Sequence, residues 1–279
     1  MKAKTQISKS FSRSAEHYEK NAFVQREIGE RMMERLAYLT MKPRLILDLG
    51  AGTGLFTEKL SKLYPNALVV ASDISLTMLH QAQNKPSLLT QGGLIQADFM
   101  QLPFEDAIFD LIFSNQVIHW ASNMRGLFKE LHRVLKPSGC FFFSTLGPST
   151  FKELNGAWRI ADPFAHTHAF LDMHEVGDAL LSEAFLDPVI DREDLSVHFS
   201  SIHALLRSLK AQGVCNVNPK RNGGLTTPAV FKRFEAAFGS YLTEAGEAPL
   251  TYEIVQGHAW KGQSHHSTRG HEVLMTIKI

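Results

Sequence analysis

Apolar residues along this chain alternate between two rhythms. Unbroken apolar runs at 45–49, 68–73, 94–99, 111–115 and 140–144 are short and punctuated, which predicts strands buried on both faces, the kind found in parallel sheets. Between them the spacing changes to three and four. Phe56, Leu60 and Leu63, then Leu76 and Leu79, then Met124, Leu127, Leu131 and Leu135 each mark one face of a helix. Val24, Ile28, Met32 and Leu36 do the same ahead of the first run, with Asn21 placed to cap that helix and Pro43 to follow its end. Residues 136–139, Lys-Pro-Ser-Gly, read as the turn that closes the helix before the last run. Strands alternating with helices predict an α/β unit over about residues 40–146 with a doubly wound parallel sheet.

Beyond that unit the pattern breaks. Gly147, Pro148, Gly156 and Pro163, interspersed with Trp158, His166 and His168, suit a lid over residues 146–172. Asp172 is then placed to cap a helix bearing Met173, Val176, Leu180 and Ala184, and 189–190, 197–199 and 252–260 read as later strands. Gly213, Pro219, Gly223 and Gly224 mark a second insertion within a lid region of about 200–245. Residues 1–20 are polar around Arg13, His17 and Tyr18, and Phe11 there is useful only if covered, so the segment is either a frayed tail or a flap. The expected organisation is a flap at 1–20, a main domain at 21–260 and a tail at 261–279.

The candidate chemistry gathers where the strands end. The first run finishes in Asp48 and is followed by Gly50, Gly52 and Gly54 on alternate positions. Such a loop lets backbone approach a bulky ligand without a Cβ in the way, and the helix after it points free N–H groups at the same place. A G-x-G-x-x-G fingerprint would need glycine at 55, where this chain has Leu55. The second run ends in Asp73, suited to the two hydroxyls of a ribose. Asp98 is placed to accept from an adenine amino group, Phe99 to lie against the base, and Asn115 closes the fourth run at the same edge. Any one of these polar residues alone would also fit a helix cap or a solvated turn.

Composition narrows the class. A chain of 279 residues with 44% hydrophobic content can bury a sizeable core. A formal charge of +1 offers no general field to draw it onto nucleic acid or an anionic membrane. The first residues are basic with no apolar stretch behind them, and nowhere do eighteen apolar residues follow one another, so neither export nor a membrane span is expected. Cys140 and Cys215, with no C-x-x-C, fit a reducing cytoplasm and packing roles. His265, His266 and His271 have no acid or cysteine at ligand spacing, so a solvated tail is expected there and no metal site.

The spacing Asp-x-Gly-x-Gly-x-Gly at 48–54 resembles motif I of the S-adenosylmethionine-dependent methyltransferases. Taken with Phe11-Ser12-Arg13 and Tyr18, Asp73-Ile74-Ser75, Leu102-Pro103-Phe104, the run 109–115, Ser144-Thr145-Leu146-Gly147-Pro148, the segment 170–178 and Gly257-His258-Ala259-Trp260, the chain resembles the malonyl-acyl carrier protein O-methyltransferase family of bacterial biotin synthesis. Ala51 stands where that family usually has Cys, and His119 where Gln is common. The resemblance implies a class I methyltransferase fold, a Rossmann-like seven-stranded, mostly parallel sheet with helices on both faces and an inserted substrate lid. It implies that Asp48, Gly50, Gly52 and Gly54 face the methionine end of S-adenosylmethionine, Asp73 and Ile74 the ribose and base, Asp98 and Phe99 the adenine, and Asn115 the region of the sulfonium. The implied substrate is malonyl-acyl carrier protein or malonyl-CoA, methylated on a free carboxylate that is ionised at neutral pH and needs no general base. Tyr18, His119 and Trp120 are then orienting or enclosing groups. An acidic carrier would suit Arg207, Lys210, Lys220 and Arg221, although these also fit an ordinary solvated face. Two rival readings share the core motifs: a methyltransferase for another small acceptor such as a quinone precursor, whose phenol would make His119 the candidate base, and a fold-sharing assembly factor that has lost the transfer.

Overall fold

The computed structural model describes residues 2–85 and 92–263. The five apolar runs become β1 (Leu45–Leu49), β2 (Leu68–Asp73), β3 (Gly92–Gln96), β4 (Phe109–Asn115) and β5 (Leu135–Leu146), joined by β6 (Phe185–Phe199) and β7 (Ala248–Lys261). They form one seven-stranded sheet in the order β3-β2-β1-β4-β5-β7-β6. β7 runs antiparallel to both its neighbours, and the other pairings are parallel. The chain steps outward from β1 to β3 and then returns to place β4 on the other side of β1. That reversal opens a crevice beyond the carboxyl ends of β1 and β4, where ligands of doubly wound sheets bind.

The runs are continuous because both faces are covered. Successive side chains point to opposite faces, so Phe113 and Phe142 stack on one side with rings 6.3 Å apart. There they meet Ile28, Met32 and Leu36 of α3 (Phe23–Leu36) and Leu60 of α4 (Leu55–Leu63). Ile112, Phe141 and Phe143 face the other way, onto Leu127, Phe128 and Leu131 of α6 (Met124–Val134) and Val176 and Leu180 of α8 (Met173–Ser182). Each such buried side chain contributes about 1.5–3 kcal/mol. α5 (Leu76–Ala82) follows β2. Asp172 caps α8 as expected, accepting from the His174 N–H at 2.8 Å while the Glu175 carboxylate accepts from the Asp172 N–H at 2.9 Å.

Several elements differ from expectation. Asn21 does not cap α3: it ends the short α2 (Tyr18–Asn21), and its amide donates to the His17 carbonyl. Residues 136–139 are not a turn after α6 but the first part of β5, where Leu135 pairs with Phe109 before the register slips and Cys140 pairs with Leu111. The proline and glycine there mark an irregularity, as they do in edge or bulged strands. The expected strands at 189–190 and 197–199 are one strand, β6, with a slip between Leu186 and Val189 around Pro188. The third run stops at Gln96, so Asp98 lies in a tight turn bridged to Gln101.

The lid regions are largely helical, as α7 (Lys152–Ala161), α9 (Ile202–Ala211) and α10 (Pro228–Phe238). α7 packs on α10, with Trp158 stacked on Phe234 at 4.0 Å. The residues 1–20 expected as tail or flap form α1 (Lys2–Ser14), a 3-10 turn at Ala15–His17 and most of α2. α1 lies across the carboxyl edge of the sheet, where Ser12 and Ser75 hydroxyls are 2.9 Å apart and the Ser10 hydroxyl donates to the Gly213 carbonyl. No helix among the described residues is long and apolar enough to cross a membrane. His265, His266 and His271 and most of the expected tail lie outside the described residues.

Candidate functional site

The glycine loop is folded back onto β2. Gly50 and Ala51 N–H groups donate to the Ser72 carbonyl at 2.7 and 3.0 Å, and the Gly52 N–H donates to an Asp73 carboxylate oxygen at 2.9 Å. Gly50 adopts φ +72, and a Cβ there would fall 2.3 Å from a Val117 methyl, so that position needs glycine twice over. Gly52 adopts φ +56, and a Cβ there would meet only Tyr18, 4.0 Å away, across open space. Gly54, at φ +79, caps the start of α4 and is not part of the cavity wall that Gly50 and Gly52 help to form.

That wall bounds a cavity of about 780 Å³, counted to its open mouth, whose lining includes Tyr18, Gly50, Gly52, Asp73, Ile74, Asp98, Phe99, Asn115 and Trp120. Asp73 is fixed by the Gly52 and Ser75 N–H groups, and burial raises its pKa while those bonds oppose the rise. Asp98 is less free than the sequence suggests, because Lys4 of α1 pairs with it at 2.5 Å and its own Met100 N–H donates to it. Asn115 is a brace as well as a wall: its amide donates to the Gln25 carbonyl at 2.8 Å and accepts from the Ser144 hydroxyl at 2.9 Å.

Asp48 is 2% exposed and accepts from the Thr57 hydroxyl at 2.5 Å. Burial, reinforced by the Asp73 charge, pushes its pKa up to about 7. It lines a neighbouring hollow behind the glycine loop, with Gly50, Gly52, Tyr18 and Gln25.

A second cavity, about 950 Å³ counted to its mouth, adjoins the first and shares Phe11, Tyr18, Gln116 and Trp120 with it. Its other walls come from the lid, through Trp158, His168 and Phe170, and from Leu206, Leu209, Gln212, Asn216 and Tyr252. Trp120 holds the rings of Phe11, His119 and His168 within 5.8 Å. His168 donates from Nε2 to the His119 carbonyl at 2.9 Å. Burial pushes the His119 pKa down to about 3, helped by His168, and lowers that of His168 as well. Gln25 Oε1, His119 Nδ1 and His168 Nδ1 are buried without a partner among the described residues. Buried polar atoms are rarely left so, and these three all line the second cavity. Among the described residues no lysine or arginine lines it.

The sequence reading missed much of this cavity. Gln116 follows the last predicted strand residue and takes φ +58. Gln25, Gln212 and Tyr252 come from distant segments, with the Gln25 amide donating to Gln212 at 3.2 Å. Ile7, Phe11 and Ala15, four residues apart, were the available signal that the N-terminal segment is an amphipathic helix facing the site. Of the expected docking residues, Arg207 and Lys210 are exposed on α9, and Lys220 is exposed in the loop after it. Arg221, also exposed, donates from Nη1 to Gln6 and to the Asn216 carbonyl.

Residues 47–143 match a family model described as a methyltransferase domain. Over 277 residues the chain is 49% identical to the malonyl-acyl carrier protein O-methyltransferase of Legionella pneumophila, covering 99% of this chain and 98% of that one. This chain belongs to the malonyl-acyl carrier protein O-methyltransferase family. The Halorhodospira halophila member is 40% identical over 91% of this chain and 86% of its own. The fold is also that of the YcgJ protein of Bacillus subtilis, with a TM-score of 0.61 at 17% identity, covering 84% of this chain and 99% of that one.

As a member of this family the protein uses S-adenosylmethionine, and the first cavity fits it. Gly52 leaves the open space that a bulky ligand needs. Asp73 faces the same cavity, and Asp48 lines the hollow behind the loop.

Proposed function

We propose that the protein transfers a methyl group from S-adenosylmethionine to the free carboxylate of a malonyl thioester carried on acyl carrier protein, in the cytoplasm, as the opening step of biotin synthesis. The observation that carries this reading is the second cavity, which abuts the first through Tyr18, Gln116 and Trp120 and ends in unpaired buried polar atoms. When bound, the cofactor supplies an electrophilic methyl group on a sulfonium sulfur.

The chain's own residues then have three tasks. Trp120, Phe170 and Trp158 exclude water from the acceptor, which strengthens the electrostatics of a charged nucleophile. Gln25, Gln212 and Tyr252 provide neutral polar groups that can fix a carboxylate in line with the methyl group. Such alignment supplies roughly 7–11 kcal/mol of a barrier. Tyr18 stands between the two cavities; burial and then the Asp73 charge raise its pKa well above the ordinary value, so it stays a neutral hydroxyl.

No residue has to take a proton. A carboxylic acid with a pKa of about 4 is ionised at neutral pH. His119, at about 3, is too weak a base to serve a phenol, whose pKa is near 10. Single-turnover methylation is therefore expected to stay flat from about pH 6 to 8.5, with His119→Gln active. A log-linear rise with pH that disappears in His119→Gln would replace the carboxylate by an acceptor that must be deprotonated. For the carrier, Arg207 and Lys210 are the proposed contacts, on the outer face of the helix whose Leu206 and Leu209 line the second cavity. Reversing both charges should raise KM for the carrier-linked substrate while sparing a small thioester, and equal effects on both would remove the assignment.

A further inference from the structure

A bowl of about 740 Å³, counted to its wide mouth, opens on the outer surface between α1 and the two lid loops. Its walls include Gln6, Ala165, His166, Asn216 and Arg221. His166 and Asn216 also line the second cavity, so bowl and cavity meet at those two side chains. The junction is built from three stretches of chain tied by hydrogen bonds. Asn216 donates to the Ala165 carbonyl at 2.7 Å, the Ala165 N–H donates to the Lys220 carbonyl at 3.1 Å, and Arg221 Nη1 reaches Gln6 Oε1 at 2.7 Å and the Asn216 carbonyl at 2.6 Å.

Charge is distributed along this path in a definite way. Among the described residues the inner cavity has no lysine or arginine in its walls, while the bowl carries Arg221. Both partners of that guanidinium are neutral oxygens, and among the described residues no carboxylate pairs with it. A cation held in place by neutral groups keeps its full charge for an incoming anion, and arginine suits phosphate oxygens in particular.

We propose that the bowl is the entry port for the substrate's phosphopantetheine arm and that Arg221 contacts its phosphate. This rests on the thioester reading above and deepens it. An acyl group on such an arm has its reactive end separated from a phosphate by an uncharged chain. The structure offers the matching order: neutral polar groups in the inner cavity, a shared wall at His166 and Asn216, and a cation outside. Carrier protein and coenzyme A both present that phosphate.

The test compares Arg221→Gln with wild type on malonyl-acyl carrier protein, malonyl-CoA and the phosphate-free malonyl thioester of N-acetylcysteamine. The ratio of kcat/KM for each phosphate-bearing substrate to that for the phosphate-free one should fall about 3- to 10-fold, the range for one partly solvated charge-assisted contact. The fall should arise in KM and shrink at high salt. Unchanged ratios would mean that Arg221 only braces the loops, and a fall confined to the carrier protein would move its contact to the carrier surface; either overturns the proposal. Calorimetry gives a readout apart from turnover, because phosphopantetheine should bind wild type more tightly than pantetheine, with the preference lost in Arg221→Gln. Absence of that preference would also overturn it. A wild-type protein that shows the preference yet methylates no malonyl thioester would defeat the function reading and leave the phosphate contact standing.

Discussion

Replacing Asp48 by Asn should stabilise the protein at neutral pH and above, and weaken its cofactor binding. Asp48 is buried behind the glycine loop with one hydroxyl donor, from Thr57, and the Asp73 charge nearby. Its pKa rises from the ordinary 3.8 to about 7. Between those values the native state holds a proton that the unfolded chain has released, so wild-type stability falls as pH rises. Asn keeps an acceptor for Thr57 and carries no charge. The stability difference, variant minus wild type, should therefore grow by about 1.4 kcal/mol per pH unit from about pH 4 to 7 and then level off near 4 kcal/mol. Urea unfolding of both proteins at a series of pH values, followed by circular dichroism, measures this directly. In the same reading an ammonium group of the bound cofactor favours the ionised acid, so wild-type affinity should rise with pH through about 7, and the dependence should vanish in Asp48→Asn. Parallel stability profiles for the two proteins would refute the argument that Asp48 is held against its charge.

Two further outcomes follow from the first cavity. Gly52→Val would put a β-branched side chain at φ +56 into the open space beside Tyr18, and Asp73→Ala would release the Gly52 and Ser75 N–H groups as well as the acceptor proposed for ribose; calorimetry should show weakened cofactor binding in both. Wild-type affinity in folded variants would end those assignments. Tyr18→Phe should lower turnover more than it shifts the thermal midpoint, because Tyr18 lines both cavities; an unchanged turnover would remove Tyr18 from the site.

The central strands were legible because they are covered on both faces. Runs such as 45–49 and 111–115 carry no polar alternation, and each ends at the functional edge in a residue that lines a cavity or braces one. Asp73 could be found from the strand end alone. Asp98 could also be found, but its pairing with Lys4 could not, because that needs a helix packed from 94 residues away. The glycines announced a turn, yet the reason for Gly50 is Val117, a residue on another strand's loop. The acceptor cavity was the least legible part. Gln25, Gln116, Gln212 and Tyr252 carry no local pattern, and only the tertiary fold brings α3, the end of β4, the lid and β7 together around them. Gly156 and the prolines of the lid disguised a helix, since Gly156 lies inside α7 where a Cβ would strike the Tyr241 hydroxyl.

The most direct measurement is methyl transfer itself. The purified protein, given methyl-labelled S-adenosylmethionine and either malonyl- or acetyl-acyl carrier protein, should label the malonyl form only, as an ester that mild base releases. Mass spectrometry should locate the new methyl group on the malonyl moiety. No transfer to the malonyl form, or equal labelling of the acetyl form, would contradict methylation of a free carboxylate.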